Sequence, residues 1–386
     1  MNPTFSRLQA RGFRHLHDLD MPFAPLNVFI GVNGVGKSSI LEVMRVLAAS
    51  ANGQLQKTIN AAGGLASLKT YGRDDSMSLR LEMPVAGKEA ISYELSLQIS
   101  GTGYRIAQET LRQRRHKRGE KDQYFKYIEA DESNIRYYNP AKKKLQRPEW
   151  EQNPLETSLA QAPRMFQDTE KFRALLSGSA LYHTLDVSPR APVRLPQMMQ
   201  PAHMPGENGE DLVSYLFYAR ETDADRFREI ENTLRVAFPN FERLEFHPVA
   251  AGSLALTWKE TSYNKSFYTH QLSEGTLRFL WLVALLHSPE LPTVTLIDEP
   301  EVSLHPEMLR LLVELFREAS SRTQLIVATH SDRLVGFLAP SELVVCDFDE
   351  EGGMKTARAD TLELERWLRD YSLDQLWEMG RLGGRT

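Results

Sequence analysis

Gly31-Val32-Asn33-Gly34-Val35-Gly36-Lys37-Ser38 matches G-x-x-x-x-G-K-[ST] at every fixed position, and its flanks suit it. Residues 26–30 form a short apolar run that reads as a strand. Residues 39–47 carry apolar side chains at helical spacing. Strand, glycine-rich turn and helix in this order make a phosphate cradle. The glycines let the backbone curl until several N–H groups face one anion, and the helix adds its positive N-terminal end. The loop therefore supplies Gly31, Asn33, Gly34, Val35, Gly36, Lys37, Ser38 and Ser39 as candidate nucleotide-binding residues. Lys37 is placed to reach the β- and γ-phosphates, and the Ser38 hydroxyl to hold Mg²⁺. At a glycine usage of about 7%, the four fixed positions recur by chance in roughly one chain of this length in a hundred. The strand and helix around them reduce that chance further.

The 386 residues allow one large α/β domain with insertions, or two to three packing units. An apolar fraction of 41% and a charged fraction of 25% are those of a globular protein with ample core. The net charge of −5 gives no overall basic field for nucleic acid, although a local basic face is compatible with it. The single cysteine, Cys346, excludes an intrachain disulfide and a thiolate metal cluster and points to a reduced, cytoplasmic setting. The N-terminus lacks the basic-then-apolar pattern of a signal peptide. No apolar run approaches the ~18 residues of a membrane span. The longest, at 279–286, reads as a buried helix.

Working outward from the loop, residues 1–30 read as a β-rich lead-in. Residues 78–83 and 91–99 alternate with period two around a glycine-bearing turn, which predicts an antiparallel hairpin that 104–107 extends. Residues 112–118 are basic, as are 142–147, with tyrosine-bearing strands at 124–128 and 135–138 between them. Two readings stand: a solvated sheet edge protected by charge, or phosphate contacts interleaved with stacking rings. Residues 155–185 read as helical. Residues 186–208, with five prolines, read as an extended linker over the surface, and 208–237 return to helical periodicity. No heptad run is sustained, so a long coiled-coil arm is not expected.

A second polar cluster lies far downstream. Thr293-Val294-Thr295-Leu296-Ile297-Asp298-Glu299 is an apolar strand ending in two carboxylates, the end of a parallel strand at which α/β ligands bind. Asp298 is the candidate for Mg²⁺. Glu299 is the candidate to orient or deprotonate an attacking water. Upstream, Gln271-Leu272-Ser273-Glu274-Gly275-Thr276 precedes the long apolar helix, where Ser273 can cap the helix and the turn presents a hydroxyl and bare N–H groups to a phosphate. Downstream, Gln324-Leu325-Ile326-Val327-Ala328-Thr329-His330 is another apolar strand, ending in a histidine able to contact the γ-phosphate or the water.

This ordered set resembles the ATP-binding-cassette ATPase head. The branch it looks like is the soluble one of RecF, SMC proteins and overcoming-lysogenization-defect ATPases. Asn33-Gly34, the signature Leu272-Ser273-Glu274-Gly275-Thr276 and the run from Asp298 into Ser303-Leu304-His305-Pro306 carry the resemblance. The tail 373–384 is similar to the endings of compact ATPases of that branch. The resemblance implies an α/β P-loop NTPase of ABC-ATPase type, with an N-terminal antiparallel β subdomain and a helical/β insert. Residues 1–110 and 211–386 would form the two parts of the head, and 111–210 the insert. It further implies a head-to-tail homodimer, or a higher oligomer built from it, with ATP and Mg²⁺ sandwiched between the phosphate loop of one subunit and Ser273, Glu274 and Gly275 of the other. Ser303-Leu304-His305 would cross the interface and His330 would be the switch histidine. Lys37, Glu299 and His330 would form the catalytic set. The family's glutamine, a metal contact, is assigned to Gln108, with Gln98 as rival.

Two functions follow from the resemblance. One is an ATPase whose dimerisation controls a separate effector, a nuclease or toxin, in bacterial anti-phage defence. The other is a RecF-like clamp in DNA repair, holding nucleic acid through 112–121 and 142–147. Only 56 residues follow His330, without an acidic cluster of the kind a fused nuclease needs. No membrane partner is expected.

Overall fold

The strand Leu26–Gly31 lies inside a six-stranded sheet ordered Ser179–Tyr182, Val294–Asp298, Gln324–Ala328, Leu26–Gly31, Leu343–Phe348, Met354–Arg358. The first five strands run parallel and the last is antiparallel. The computed structural model describes all residues except 1–3, 73–74, 116–122, 133, 165, 363–366, 368–370 and 384–386.

Each central strand is an apolar run because both faces of the sheet are covered. In the phosphate-loop strand, Val28 and Ile30 turn to one side and Phe29 to the other, and each side has its own core. One core packs the sheet against the helices Glu274–Leu286 and Pro306–Ala319. The other encloses the helix Lys37–Ala51 between this sheet and a second one. The helix Glu274–Leu286 buries nine side chains, consistent with its nearly all-apolar sequence. Each fully buried Leu or Phe contributes about 1.5–3 kcal/mol.

The second sheet is antiparallel and eight-stranded: Leu16–Pro22, Arg7–Phe13, Ser76–Val85, Lys88–Ser100, Gly103–Arg115, Gln123–Asp131, Asn134–Asn139, Lys144–Gln146. It contains the predicted lead-in and hairpin. The boundary drawn at 110 falls inside the strand Gly103–Arg115, so the strands Gln123–Asp131, Asn134–Asn139 and Lys144–Gln146 continue this sheet beyond it. A small third sheet joins Gln197–Met198, Ser253–Glu260 and Phe241–Pro248, with Phe267–Tyr268 added.

Two segments differ from their sequence reading. The helical stretch expected at 155–185 holds the helices Ser158–Gln161 and Gln167–Ser177, but its end, Ser179–Tyr182, is the edge strand beside Val294–Asp298. A four-residue strand is too short to show its period. The proline-rich segment is packed, with Val187, Ala191, Val193 and Ala202 buried. Arg194 donates to the carbonyls of His270 (3.2 Å) and Leu272 (3.1 Å). Through Arg194 the segment braces the turn that precedes Ser273.

Candidate functional site

The carboxyl ends of the parallel strands gather the polar residues. Gly36 precedes the helix Lys37–Ala51 at φ 113°, a left-handed conformation that favours glycine and aims the first helical N–H groups into the loop. Lys37 is 3% exposed. Its ammonium donates to the carbonyl oxygens of Gly31 (2.7 Å) and Val32 (3.1 Å) and to His330 Nδ1 (3.2 Å). Burial lowers the lysine's pKa, and these three acceptors match its three protons.

The contact with Lys37 sets the histidine's tautomer. An ammonium can only donate, so Nδ1 accepts and the proton of the neutral ring sits on Nε2. That nitrogen faces Glu299 Oε1 at 3.2 Å. Burial, then the Lys37 charge, lowers the pKa of His330, which favours the neutral ring. Lys37, His330 and Glu299 thus form one chain of contacts. Glu299 itself lies at φ 51°, an uncommon conformation for glutamate, with its N–H held by the carbonyl of Ala328 (2.9 Å). Strained backbone of this kind gathers at functional sites.

Ser38 Oγ donates to Asp298 Oδ1 at 3.2 Å. A hydroxyl and a carboxylate converging on one point are the hard oxygen donors that Mg²⁺ takes, so these two residues fit that ion. A cavity of about 640 Å³ lies over the loop, lined by Gly34, Gly36, Lys37, Ser38, Ser39 and His330 on one side. Arg14, His15, Thr70 and Tyr71 form the other wall, and Tyr71 is fully exposed.

Ser273, Glu274 and Gly275 do not line that cavity. Ser273 caps the helix Glu274–Leu286 by accepting from Thr276 N at 3.1 Å, as its sequence position implies. A Cβ on Gly275 would stand 2.3 Å from the Ser303 carbonyl oxygen. The signature turn and the loop 303–305 therefore touch backbone to backbone. Arg278 reinforces the contact by donating to Ser303 Oγ and to the Leu185 carbonyl.

Four placements were not legible in the sequence. Glu301 anchors His330: Oε1 accepts the His330 N–H at 2.7 Å, while Oε2 is buried without a partner, and burial raises its pKa. Gln108 is exposed in the middle of Gly103–Arg115, opposite Ser96 and Asp131, and is not brought to the loop. Gln98 accepts from Arg105 on the same sheet. The residue beside Asp298 is instead His183, which follows Ser179–Tyr182 with Nδ1 3.8 Å from Asp298 Oδ2. The neighbouring carboxylate raises its pKa. The one signal was a short apolar run ending in a polar residue, the pattern also seen at Asp298 and His330.

The basic segments lie at the far end of the antiparallel sheet. Arg112 pairs with Glu94 (3.3 Å), Arg136 and Lys126 both pair with Glu129, and Lys142 lies 4.0 Å from Glu149. Arg115 stacks over Phe125, which meets Tyr138 edge-on. Residues 116–121 of the predicted nucleic-acid segment lie outside the described residues. No described helix is long and apolar enough to cross a membrane.

Residues 26–336 match the family model described as "AAA domain, putative AbiEii toxin, Type IV TA system". No curated protein sequence matches the chain. Among solved structures it is similar to an SMC head bound to the C-terminal winged-helix domain of ScpA. That likeness has a TM-score of 0.57 at 13% identity, over 92% of this chain and 98% of the other. It is also similar to an SMC head with an extended coiled coil bound to the C-terminal domain of ScpA from Pyrococcus furiosus. Here the TM-score is 0.54 at 12% identity, over 95% and 100% of the two chains. The likeness is one of fold: an α/β P-loop NTPase of the ABC-type ATPase head.

Proposed function

Because the chain belongs to the AAA-domain family described as putative AbiEii toxin, Type IV TA system, and has an ABC-type head fold, we propose that it hydrolyses ATP to ADP and phosphate as a head-to-tail dimer. Through that dimer it controls a separate effector. The observation that carries this reading is the continuous Lys37–His330–Glu299 chain beside the Ser38–Asp298 pair. On this reading Lys37 exchanges the Gly31 and Val32 carbonyls for phosphate oxygens. Loop and helix N–H groups take the remaining phosphate charge. Glu299 orients and deprotonates the attacking water, and His330 Nε2–H holds that carboxylate in place. Ser38 and Asp298 would hold Mg²⁺, which would supply charge neutralisation to the phosphate oxygens.

The signature residues lie outside the cavity wall of their own chain, which supports their acting on the nucleotide of a second copy. Ser273 then offers a hydroxyl, and Glu274 and Gly275 offer N–H groups of a helix start. The family description names a putative toxin of a Type IV TA system; the separate effector, a nuclease or a toxin, and the setting in anti-phage defence are part of this proposal. Glu299→Gln removes the base and keeps the shape. It is expected to lower turnover by about 10²–10³ and to accumulate an ATP-dependent dimer in native mass spectrometry, with the effector retained from co-expressed neighbours. Turnover at the wild-type rate would remove Glu299 from its role.

A DNA clamp is the second reading, favoured by the Arg115–Phe125–Tyr138 stack. The carboxylate partners of Arg112, Lys126 and Arg136 weigh against it, since paired cations release fewer counterions. Steeply salt-dependent DNA binding that is lost on charge reversal at Lys142–Lys144 would establish the clamp.

A further inference from the structure

We infer that the far end of the antiparallel sheet carries a second ligand site, an aromatic cage for the head of an organic cation: a quaternary or methylated ammonium, or a guanidinium. A cavity of about 390 Å³ there has Phe125, Tyr127, Tyr138, Phe166, Pro140 and Asp168 in its walls. That volume lies within the roughly 300–1,000 Å³ of small-ligand sites. Four of these side chains are aromatic and one is a carboxylate. Among the described residues that line the cavity there is no lysine or arginine. An aromatic ring is negative on its face, and several rings beside one carboxylate attract a cation that gives up its water easily. The cavity shares no lining residue with the one over the phosphate loop, and the inference stands apart from the ATP reading.

The fold makes this hole where the sheet outruns the helix that covers it. Leu111 pairs with Ile128 and Arg112 with Lys126, so Tyr127 is the extra residue of a β-bulge. A bulge re-aims the side chains around it. Phe125 meets Tyr127 at 79° and Tyr138 at 69°, with ring centroids 4.8 and 4.5 Å away. Rings at such angles are adjoining walls of a corner rather than the two sides of a slot for a flat base. Phe166 and Asp168 close the opposite side from the start of the helix Gln167–Ser177. Phe125, Tyr127 and Tyr138 are half-buried and Asp168 is exposed, so the cavity opens to solvent. Tyr127 donates to Gln113 Oε1 at 3.0 Å. Burial, then the Asp168 carboxylate, raise its pKa to about 12, so the ring serves as a neutral phenol.

The charges nearby were weighed against this ligand. The positive end of the helix opposes a cation, and two acids in its first turn, Asp168 and Glu170, offset it. Arg115 lies over Phe125, 4.2 Å from the ring centroid, but it borders the adjoining cavity and not this one. A cation across the ring would stand about 8 Å from it, close to the Debye length at physiological salt, where the repulsion is weakened. The same contact shows a guanidinium settling on this ring.

The test titrates the full chain with choline, with the neutral isostere of choline in which carbon replaces nitrogen, and with N-acetyl-arginine methylamide, by calorimetry. Wild type is expected to bind choline about tenfold more tightly than the isostere. Tyr138→Leu and Asp168→Asn are each expected to weaken choline about fivefold. Tyr138→Phe, which keeps the ring, should stay within about twofold, and it serves with Asp168→Asn if Tyr138→Leu does not fold. Tighter binding of choline assigns the site to a free amine, and tighter binding of the arginine derivative assigns it to a side chain of another protein; either supports the cage. Equal affinity for choline and its isostere would overturn it, because the cavity would then be only an apolar hole. Binding of neither cation, or choline binding untouched by Asp168→Asn and Tyr138→Leu, would do the same. So would a single-stranded oligonucleotide that binds, loses affinity in Tyr138→Leu and is not displaced by choline, because the rings would then stack bases.

Discussion

Gly275→Ala is a single methyl group with a calculable effect. The new Cβ would lie 2.3 Å from the Ser303 carbonyl oxygen, and real contacts of this kind do not fall below 3.0 Å, so one of the two backbones must move by at least 0.7 Å. Neither is free to do so cheaply. Ser303 lies in the left-handed region at φ 64°, and the helix behind Gly275 is fixed by nine buried side chains. Overpacking of this size costs about 1–3 kcal/mol. In a chain of this length that is about 2–12 °C of melting temperature at most, taking 2–4 °C per kcal/mol as an upper rate. Function should respond unevenly. The phosphate cavity does not include residue 275, so ATP affinity of the single chain stays within about twofold. A shift beyond the ~0.5 Å tolerance of a positioned site weakens ATP-dependent dimerisation by tenfold or more. Nucleotide titration, thermal melting and sedimentation of the Glu299→Gln protein with and without Gly275→Ala read the three quantities separately. A variant that melts within a degree of its parent and dimerises equally well would refute the claim that signature and crossing loop act as one packed unit.

Two predictions concern pH. His287 is 5% exposed with Nε2 at 3.2 Å from Thr233 Oγ1, and burial lowers its pKa to about 4. A base whose folded pKa is depressed contributes stability that is complete above its unfolded pKa of about 6.5 and is lost as pH falls toward 4. The loss amounts to about 3 kcal/mol. Urea unfolding across that window should steepen for wild type and flatten for His287→Gln; parallel curves would count against it. Glu301 has the opposite sign, because burial raises the pKa of an acid. Its contribution is fullest below the unfolded carboxylate pKa and is lost as pH rises through the raised value. Glu301→Gln keeps an acceptor for the His330 N–H and should melt about 1–3 °C above wild type at pH 8, with the gain vanishing near pH 4.5. An equal gain at both values would assign it to packing.

What the sequence by itself determined about this protein is the part of the site written in local pattern. A phosphate loop is a run of consecutive residues whose backbone does the binding, so Gly31–Ser38 declares itself without a fold. The strands ending at Asp298 and His330 are likewise apolar runs that stop at a polar residue. Their order along the chain, with Ser273 between the phosphate loop and these strands, was enough to place them in one ATPase head. The hairpin followed from a period of 2, and the buried helix Glu274–Leu286 from the continuous apolar run 279–286. The tertiary structure alone decided what depends on neighbours distant in the chain. Ser179–Tyr182 is too short to show a period, and pairing with Val294–Asp298 makes it a strand and puts His183 beside Asp298. Glu301 reads as one acid among several until the fold brings it under the His330 backbone. The proline-rich segment looks like a surface linker by composition, yet Arg194 and its buried apolar residues make it a brace for the signature turn. Local periodicity records which way a side chain faces. Which partner it finds there is fixed only when strands from 26, 179, 294 and 324 are laid side by side.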